Sequence, residues 1–494
     1  MMKMIIEFSL ALLCFVVAII PIAFLLIFLL LGEIVRQIIR LYLSLKHNRN
    51  ITVVNGNDAL FLISNQKTEV VGTVCLIFQG QLNLEAVKRE FRTFWTDPQL
   101  NGHFLHPKLR CRPKQAYGYF YWIPEDNFSI DDHIQQFDCK PPENDSELTE
   151  ILSTICNQYF PDNISPWKHY LFPLNKHPEP HYACVMRGHH CLMDGFNAVR
   201  MIEKGLLDKS SVHYLTPKAA TAKNISEPSL KSKLLLFFIT LFYAPFYLVK
   251  LGFSKDVNSL HGPKQCGKRF IRCSEQIDLK RVKRVGKMVE ATVNDIMTSC
   301  VTAALKHYFV EQDEDVSQIH ANSPISLHTG LQKAGFVNNL SGLFITLPVG
   351  RCIEPLDRLR LVHKELLHQR KSYYHYCANL IIELLINRLP LFMFLPATSL
   401  NGSTLVITNV PLYQTQCANK FGDKAKECFL LPVHNSNMSV GVAVTSYNGK
   451  IRLTMSADRT VIDCAEKIEQ FLASCIEEFD ILDNLVKVNS TNLK

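Results

Sequence analysis

The sequence has no Cys-x-x-Cys pair and no cluster of Cys and His at metal-ligand spacing, although its 494 residues include 16 cysteines. Neither a zinc module nor a small disulfide scaffold is expected, and no metal site is assigned. Low-complexity tracts, short repeats and nucleic-acid-binding motifs are also missing. The net charge of +8, from 53 basic and 45 acidic side chains, suits a membrane surface or an anionic ligand, with no nucleic-acid partner. With 47% hydrophobic and 20% charged residues, the chain is too apolar for a disordered protein and too polar for a many-pass membrane protein.

Charge is absent from Phe8 to Leu31, a run of 24 residues. As a helix it spans roughly 36 Å, enough for a bilayer core. The run continues into Gly32 and Glu33 with no small-residue cleavage site, so residues 1–50 read as a membrane anchor with a basic flank rather than a signal peptide. Lys3 and Glu7 precede the run, and Arg36, Arg40, Lys46 and Arg49 follow it. By the positive-inside rule the expectation is a single N-terminal transmembrane helix with the catalytic part cytosolic, at the endoplasmic reticulum. Nine N-x-S/T sequons, at Asn50, Asn127, Asn144, Asn163, Asn224, Asn339, Asn401, Asn437 and Asn489, point instead to a lumen. The flanking charges are given the greater weight.

A second apolar stretch, Leu234–Val249, has 16 residues, contains Pro245 and is flanked by Lys231, Lys233, Lys250 and Lys255. It fits a helix lying in the interface at least as well as a span. A third, Leu380–Leu400, is broken by charges and prolines and reads as a core or membrane-facing helix.

Between these segments the pattern mixes strands and helices, so the fold class is α/β (α+β). One half runs over residues 51–212, a crossover over 213–268, a second half over 269–486, and 487–494 form a tail. Val70–Phe78 is an apolar strand, and Asn83–Phe94 has helical spacing. Thr292 and Asp295 form a capping-box pattern that opens a helix to Phe309. Alternating apolar residues on both sides of Asn448-Gly449 predict a hairpin.

The informative stretch is Tyr182–Leu207, in which a strand leads into His189-His190, a turn follows at Asp194-Gly195, and a helix begins. With 18 histidines, an adjacent pair arises by chance about once in two such chains. Adding Asp and Gly at fixed spacing lowers the chance to roughly one in a thousand. A neutral imidazole can accept a proton from a hydroxyl whose own pKa is far too high for attack at pH 7. Asp194 at the turn can bond backbone amides or an Arg, and Gly195 leaves room beside the backbone. Two other readings stand on these residues alone: a pair of histidines satisfying core hydrogen bonds, or ligands of a metal whose remaining ligands are not apparent.

The stretch matches HHxxxDG, the motif of acyltransferases related to chloramphenicol acetyltransferase and to peptide-synthetase condensation domains. Further segments follow in order. Asp58-Ala59-Leu60-Phe61-Leu62 resembles LDAxFL, His106–Arg110 resembles HPRLR, and Tyr121-Trp122 with Asp131-Asp132-His133 resembles YWV…DxHV. Thr292–Asp295 is TVND, Pro324–Leu327 resembles PVSL, and Asn339-Leu340-Ser341 with Leu347-Pro348 resembles NxxS…LP. Thr408–Pro411 and the closing Asn437–Asp458 hairpin complete the set. From about Asn55 to Leu485 the chain resembles the wax ester synthase/diacylglycerol acyltransferase family. It departs at Leu412-Tyr413, where Gly-Pro is usual; at Phe196-Asn197, where small residues are usual; at His328, where Arg is usual; and at Ser165-Pro166-Trp167, a loose form of Pro-Leu-Trp.

The resemblance implies two chloramphenicol-acetyltransferase-like halves around a tunnel, with fatty acyl-CoA as substrate, no bound cofactor, and a fatty alcohol or diacylglycerol as acceptor at a lipid bilayer. It implies His190 as general base, His189, Asp194 and Gly195 as supporting residues, and Asn294 as a substrate or oxyanion contact or, on the simpler reading, a helix-cap residue. A non-lipid acceptor, or an inactive membrane-anchored lipid-binding protein of the same fold, are the alternatives.

Overall fold

A computed structural model describes residues 2–63, 69–176, 178–212, 229–262, 265–328, 335–393, 402–433 and 438–491. The sequons at Asn224, Asn401 and Asn437 lie outside these residues. Two mixed sheets form the body. The first is ordered Lys424–Leu431, Val71–Gln79, His181–His189, Trp167–Leu174, Ile134–Gln136. The second is ordered Arg269–Cys273, Lys450–Asp458, Val440–Tyr447, Leu405–Pro411, Gln318–Ser326, Leu340–Pro348, with the short strand Ile277–Asp278 also paired to Lys450–Asp458. Helices Leu279–Val289, Val293–Glu311, Pro355–Lys371 and Ala465–Thr491 cover the second sheet, and their apolar residues form the largest core. Helix Asp145–Cys156 covers one face of the first sheet, and Leu84–Phe91 and Gly195–Gly205 cover the other.

The local readings hold. The hairpin turns at Asn448 and Gly449, both with positive φ (47° and 72°), as a two-residue turn between right-twisted strands requires. The Thr292 hydroxyl accepts from the Asp295 N–H at 3.2 Å, and Asp295 Oδ2 accepts from the Thr292 N–H at 2.8 Å, which completes the capping box. The helix it opens runs two residues past Phe309, to Glu311.

Two features go beyond the organisation expected from the sequence. The second half is not self-contained, because Lys424–Leu431 leaves it and pairs antiparallel with Val71–Gln79 in the first sheet. A contiguous boundary in sequence cannot represent a strand that crosses back, and Phe429 and Leu431 fill core among residues of the first half. The Leu234–Val249 stretch belongs to an unbroken helix of 24 residues, Leu230–Phe253, with Pro245 inside it. Neighbouring packing supports that turn: Ala244, Phe246 and Tyr247 are buried against Ala11 and Cys377. The third stretch contributes the end of a helix that starts at Tyr374 and widens into a π-turn over Ile382–Ile386; residues 394–400 lie outside the described set.

Candidate active site

The open ends of the two sheets face one cavity of about 710 Å³. Its wall takes His190, Asp194, Gly195 and Phe196 from the first half, and Ile325, Leu340, Thr408 and Asn409 from the second. That volume falls within the roughly 300–1,000 Å³ of small-molecule sites, and the lining is mainly apolar with a few convergent polar groups.

His190 stands where strand His181–His189 ends, and its backbone N–H donates to the Val70 carbonyl at 2.7 Å. Its ring stacks on Phe61, with centroids 4.1 Å apart. Nδ1 lies 3.1 Å from Asn338 Oδ1. The Asn338 amide nitrogen donates to Asp58 Oδ1 at 2.8 Å and to the His190 carbonyl at 2.7 Å. Both of its hydrogens are thus committed, and the facing Oδ1 can only accept. His190 Nδ1 must therefore carry the ring proton, which leaves Nε2 as the nitrogen with a lone pair. Asp58 is held in turn by Lys108 Nζ at 2.5 Å, and the same ammonium donates to the Phe336 carbonyl at 2.6 Å. Burial pushes the His190 pKa below the usual imidazole value, against opposition from the Asp194 charge and the Asn338 bond. The ring stays neutral at neutral pH.

Asp194 has a different task. It caps helix Gly195–Gly205 by accepting from the Asn197 N–H at 2.9 Å. Its other oxygen accepts from His328 Nε2 at 2.7 Å and from the Asn339 N–H at 2.9 Å. Burial pushes its carboxyl up, but these bonds outweigh the penalty and hold it below the usual carboxylate range. His328, where the resemblance implies Arg, thus joins the two halves across the loop. His189 points into the body; its Nδ1 accepts from the Cys191 N–H at 3.2 Å, and burial drives its pKa down to about 3. A Cβ on Gly195 would meet nothing within 4 Å, so protein packing does not demand glycine there and the space opens to the cavity.

Several departures find a place. Phe196 lines the cavity and stacks on His328 at 4.8 Å, whereas Asn197 is buried off the wall and donates to the Val337 carbonyl at 2.9 Å. Leu412 and Tyr413 are buried, and the Tyr413 hydroxyl donates to the Val199 carbonyl at 3.2 Å. Behind the histidines, the Pro166 carbonyl accepts from the His189 N–H at 2.8 Å, Trp167 Nε1 donates to the Leu109 carbonyl at 2.9 Å, and His133 stacks on Trp167 at 4.1 Å. Segments separated in sequence thereby build one support.

Asn294 is not among the described wall residues. Its Oδ1 accepts from Asn409 Nδ2 at 3.2 Å, and Asn409 is the residue on the wall. The expectation of direct contact therefore passes to Asn409, because the first turn of helix Val293–Glu311 lies one residue layer behind strand Leu405–Pro411. Sequence reasoning missed Asn338: it placed the NxxS resemblance from Asn339, one residue too late, and nothing in the pattern shows which of two adjacent asparagines turns inward. Among the described residues, no group of three or more His, Cys, Asp or Glu is placed to hold a metal ion.

A two-lobed α/β body with HHxxxDG at the cavity between the lobes defines an acyltransferase of the chloramphenicol-acetyltransferase and condensation-domain fold. Residues 54–233 match the wax ester synthase/diacylglycerol acyltransferase catalytic domain, and residues 337–482 match the C-terminal domain of the same family. The chain belongs to that family. It is 23% identical to a putative diacyglycerol O-acyltransferase of Mycobacterium bovis, over 72% of this chain and 79% of that one. It is 21% identical to an O-acyltransferase of Acinetobacter baylyi, over 74% and 84%. In structure it is similar to the wax ester synthase/diacylglycerol acyltransferase of Marinobacter aquaeolei VT8, with TM-score 0.60 and 17% identity over 88% of this chain and all of that one. A trichothecene 15-O-acetyltransferase of Fusarium sporotrichioides superposes with TM-score 0.58 and 12% identity, over 88% and 94%.

Proposed function

We propose that the protein transfers a fatty acyl group from acyl-CoA to the hydroxyl of a long-chain alcohol or diacylglycerol, making wax esters or triacylglycerol. The observation that carries this reading is the neutral His190 imidazole, its tautomer set by Asn338, on the wall of a large apolar cavity. Nε2 takes the acceptor's proton as its oxygen attacks the thioester carbonyl, and returns a proton to the leaving CoA thiolate. Base catalysis of this kind typically contributes about 10²–10⁴-fold. Positioning in the cavity and stabilisation of the oxyanion supply the remainder.

The enzyme works at a membrane, in this reading the cytosolic face of the endoplasmic reticulum, where acyl-CoA and the basic flank Arg36–Arg49 coincide. A lipid acceptor has negligible aqueous concentration, since each buried CH₂ favours the apolar phase by about 0.8 kcal/mol. Of the apolar segments flagged in the sequence, the third reaches the cavity wall, through the helix whose end it forms: Tyr374, Ala378 and, in the π-turn, Ile382. Phe242 of the second apolar helix instead packs against Phe8 and Phe15, with centroids 5.7 and 5.3 Å away.

The test uses membranes carrying the full chain, labelled palmitoyl-CoA, and a panel of long and short alcohols, diacylglycerol and amines. Labelled wax ester or triacylglycerol that increases with acceptor chain length is the expected product. Preference for short water-soluble alcohols or amines, without chain-length dependence, sinks the lipid-acceptor reading. For sidedness, a glycosidase-sensitive shift at exposed Asn127 would place the body in a lumen. Asn339 is not diagnostic, because it is half-buried with its N–H on Asp194.

A further inference from the structure

The first helix, Met2–His47, is fastened to the body at both ends of its apolar run. Ahead of the run, the Glu7 carboxylate pairs with His368 Nε2 at 3.2 Å. Ala11 is fully buried in a cluster with Ala244, Tyr247 and Cys377. At the far end Leu29 packs with Ile63 and Leu389, and Gly32 lies so close to the Arg388 carbonyl that a Cβ there would come within 2.6 Å of it. Leu43 then packs against Tyr121. At about 100° per residue, positions 7, 11, 29, 32 and 43 fall within about 60° of one another on the helix circumference. One stripe faces the body along the whole length. Over residues 8–31 the rest of the surface is mainly bare hydrocarbon: Leu13, Val17, Ile20, Phe24 and Leu30 are each at least 60% exposed.

A helix standing upright in a bilayer places its two ends at opposite surfaces. Glu7 and Gly32 are 25 residues apart, or roughly 37 Å along the axis, more than a hydrocarbon core of about 30 Å. Yet His368 and Arg388, which meet those two ends, are parts of one folded body. An upright helix would draw that body through the bilayer, including the segment between them that lines the cavity. It would also leave charged helix Pro355–Lys371 on the far side. We propose instead that the first helix lies along a single leaflet and, with Leu230–Phe253, forms an apolar platform that beds the enzyme on phospholipid from one side. This replaces the single crossing expected from the flanking charges.

The occupant of the platform is a phospholipid leaflet rather than a protein. Only 6% and 22% of the most apolar stretches of the two helices are buried. Exposed Arg40, Lys46 and Lys231 lie at their ends, where phosphate groups would meet them. Helix Tyr374–Ile381 fits between platform and cavity: Cys377 packs on Ala11 and Ala244, while Tyr374 and Ala378 line the cavity. About one helix diameter, 10–12 Å, then separates the leaflet from the cavity. Sideways entry of a lipid acceptor follows, and that consequence alone rests on the function proposed above.

Full-length protein with an N-terminal and a C-terminal epitope, in sealed microsomes, tests the placement without reference to activity. Protease is applied before and after detergent, and a glycosylation sequon is added ahead of Met2 in a parallel variant. Both epitopes should be cut, or both protected, together, with alkaline carbonate leaving the protein in the membrane. One epitope protected while the other is cut overturns the proposal, and so does release by carbonate. Gly32→Leu supplies a second reading. Prising the helix from Arg388 should lower the temperature of heat inactivation by several degrees, and an unchanged temperature shows a helix that is not docked on the body.

Discussion

His190 and Asp194, at the two ends of one loop, are both polar and both bonded by residues of the opposite half of the molecule, yet they are held for different ends. At His190 the partners, Asn338 and behind it Asp58 and Lys108, leave one ring nitrogen uncommitted beside the cavity. At Asp194 every partner is spent on structure: a helix cap, a backbone N–H and the ring of His328. One end is arranged to move a proton and the other to keep the loop in place. The difference teaches that a motif's invariable-looking residues divide by what remains unpaired after folding.

Substitutions can break that division. His190→Ala should lower acyl transfer by 10²-fold or more while folding and membrane attachment persist; a loss below tenfold removes His190 as the base. Asn338→Ala should lower kcat by about ten- to a hundredfold with little change in KM, since it frees the ring to turn and exchange tautomers. It also removes a bond that favours the protonated ring, so the acid limb of the kcat/KM profile should move to lower pH. In the unaltered enzyme that limb already belongs below pH 6.5, because burial lowers the His190 pKa and the base acts only when neutral.

Asp194→Ala should act on stability first, by roughly 2–4 kcal/mol in urea unfolding, because it strands the His328 ring and two backbone N–H groups. His328→Arg, which places there the residue the resemblance implies, should keep most of both stability and activity; a collapse equal to that of Asp194→Ala would show that the imidazole itself is required. The smallest effect is expected at His189. Its pKa, like that of buried His169, is lowered to about 3. The unfolded chain therefore binds protons first as pH falls below about 6.5, and stability should decline from there toward pH 3. His189→Gln should make that decline shallower, with less than tenfold loss of activity at neutral pH.

Much was legible in one dimension. The hairpin at Asn448-Gly449, the capping box at Thr292 and the strand–turn–helix around Asp194 each depend on residues within a few positions of one another, and local chemistry decides them. The HHxxxDG spacing and the ordered segments around it identified the acyltransferase class before any contact was known. The uncharged run Phe8–Leu31 likewise announced a long apolar helix, and it lies within helix Met2–His47.

What the sequence could not contain is the pairing of distant groups. Asn338 is 148 residues from His190 and Asp58 is 280 from Asn338, so the proton on Nδ1 is decided only when three segments meet. The crossing strand Lys424–Leu431, the transfer of wall contact from Asn294 to Asn409, and the stripe of the first helix that rests on the body are of the same kind. Periodicity states that a residue has a buried face or a polar tip. Which partner meets it depends on packing between segments, and close packing admits few arrangements that satisfy all of them together.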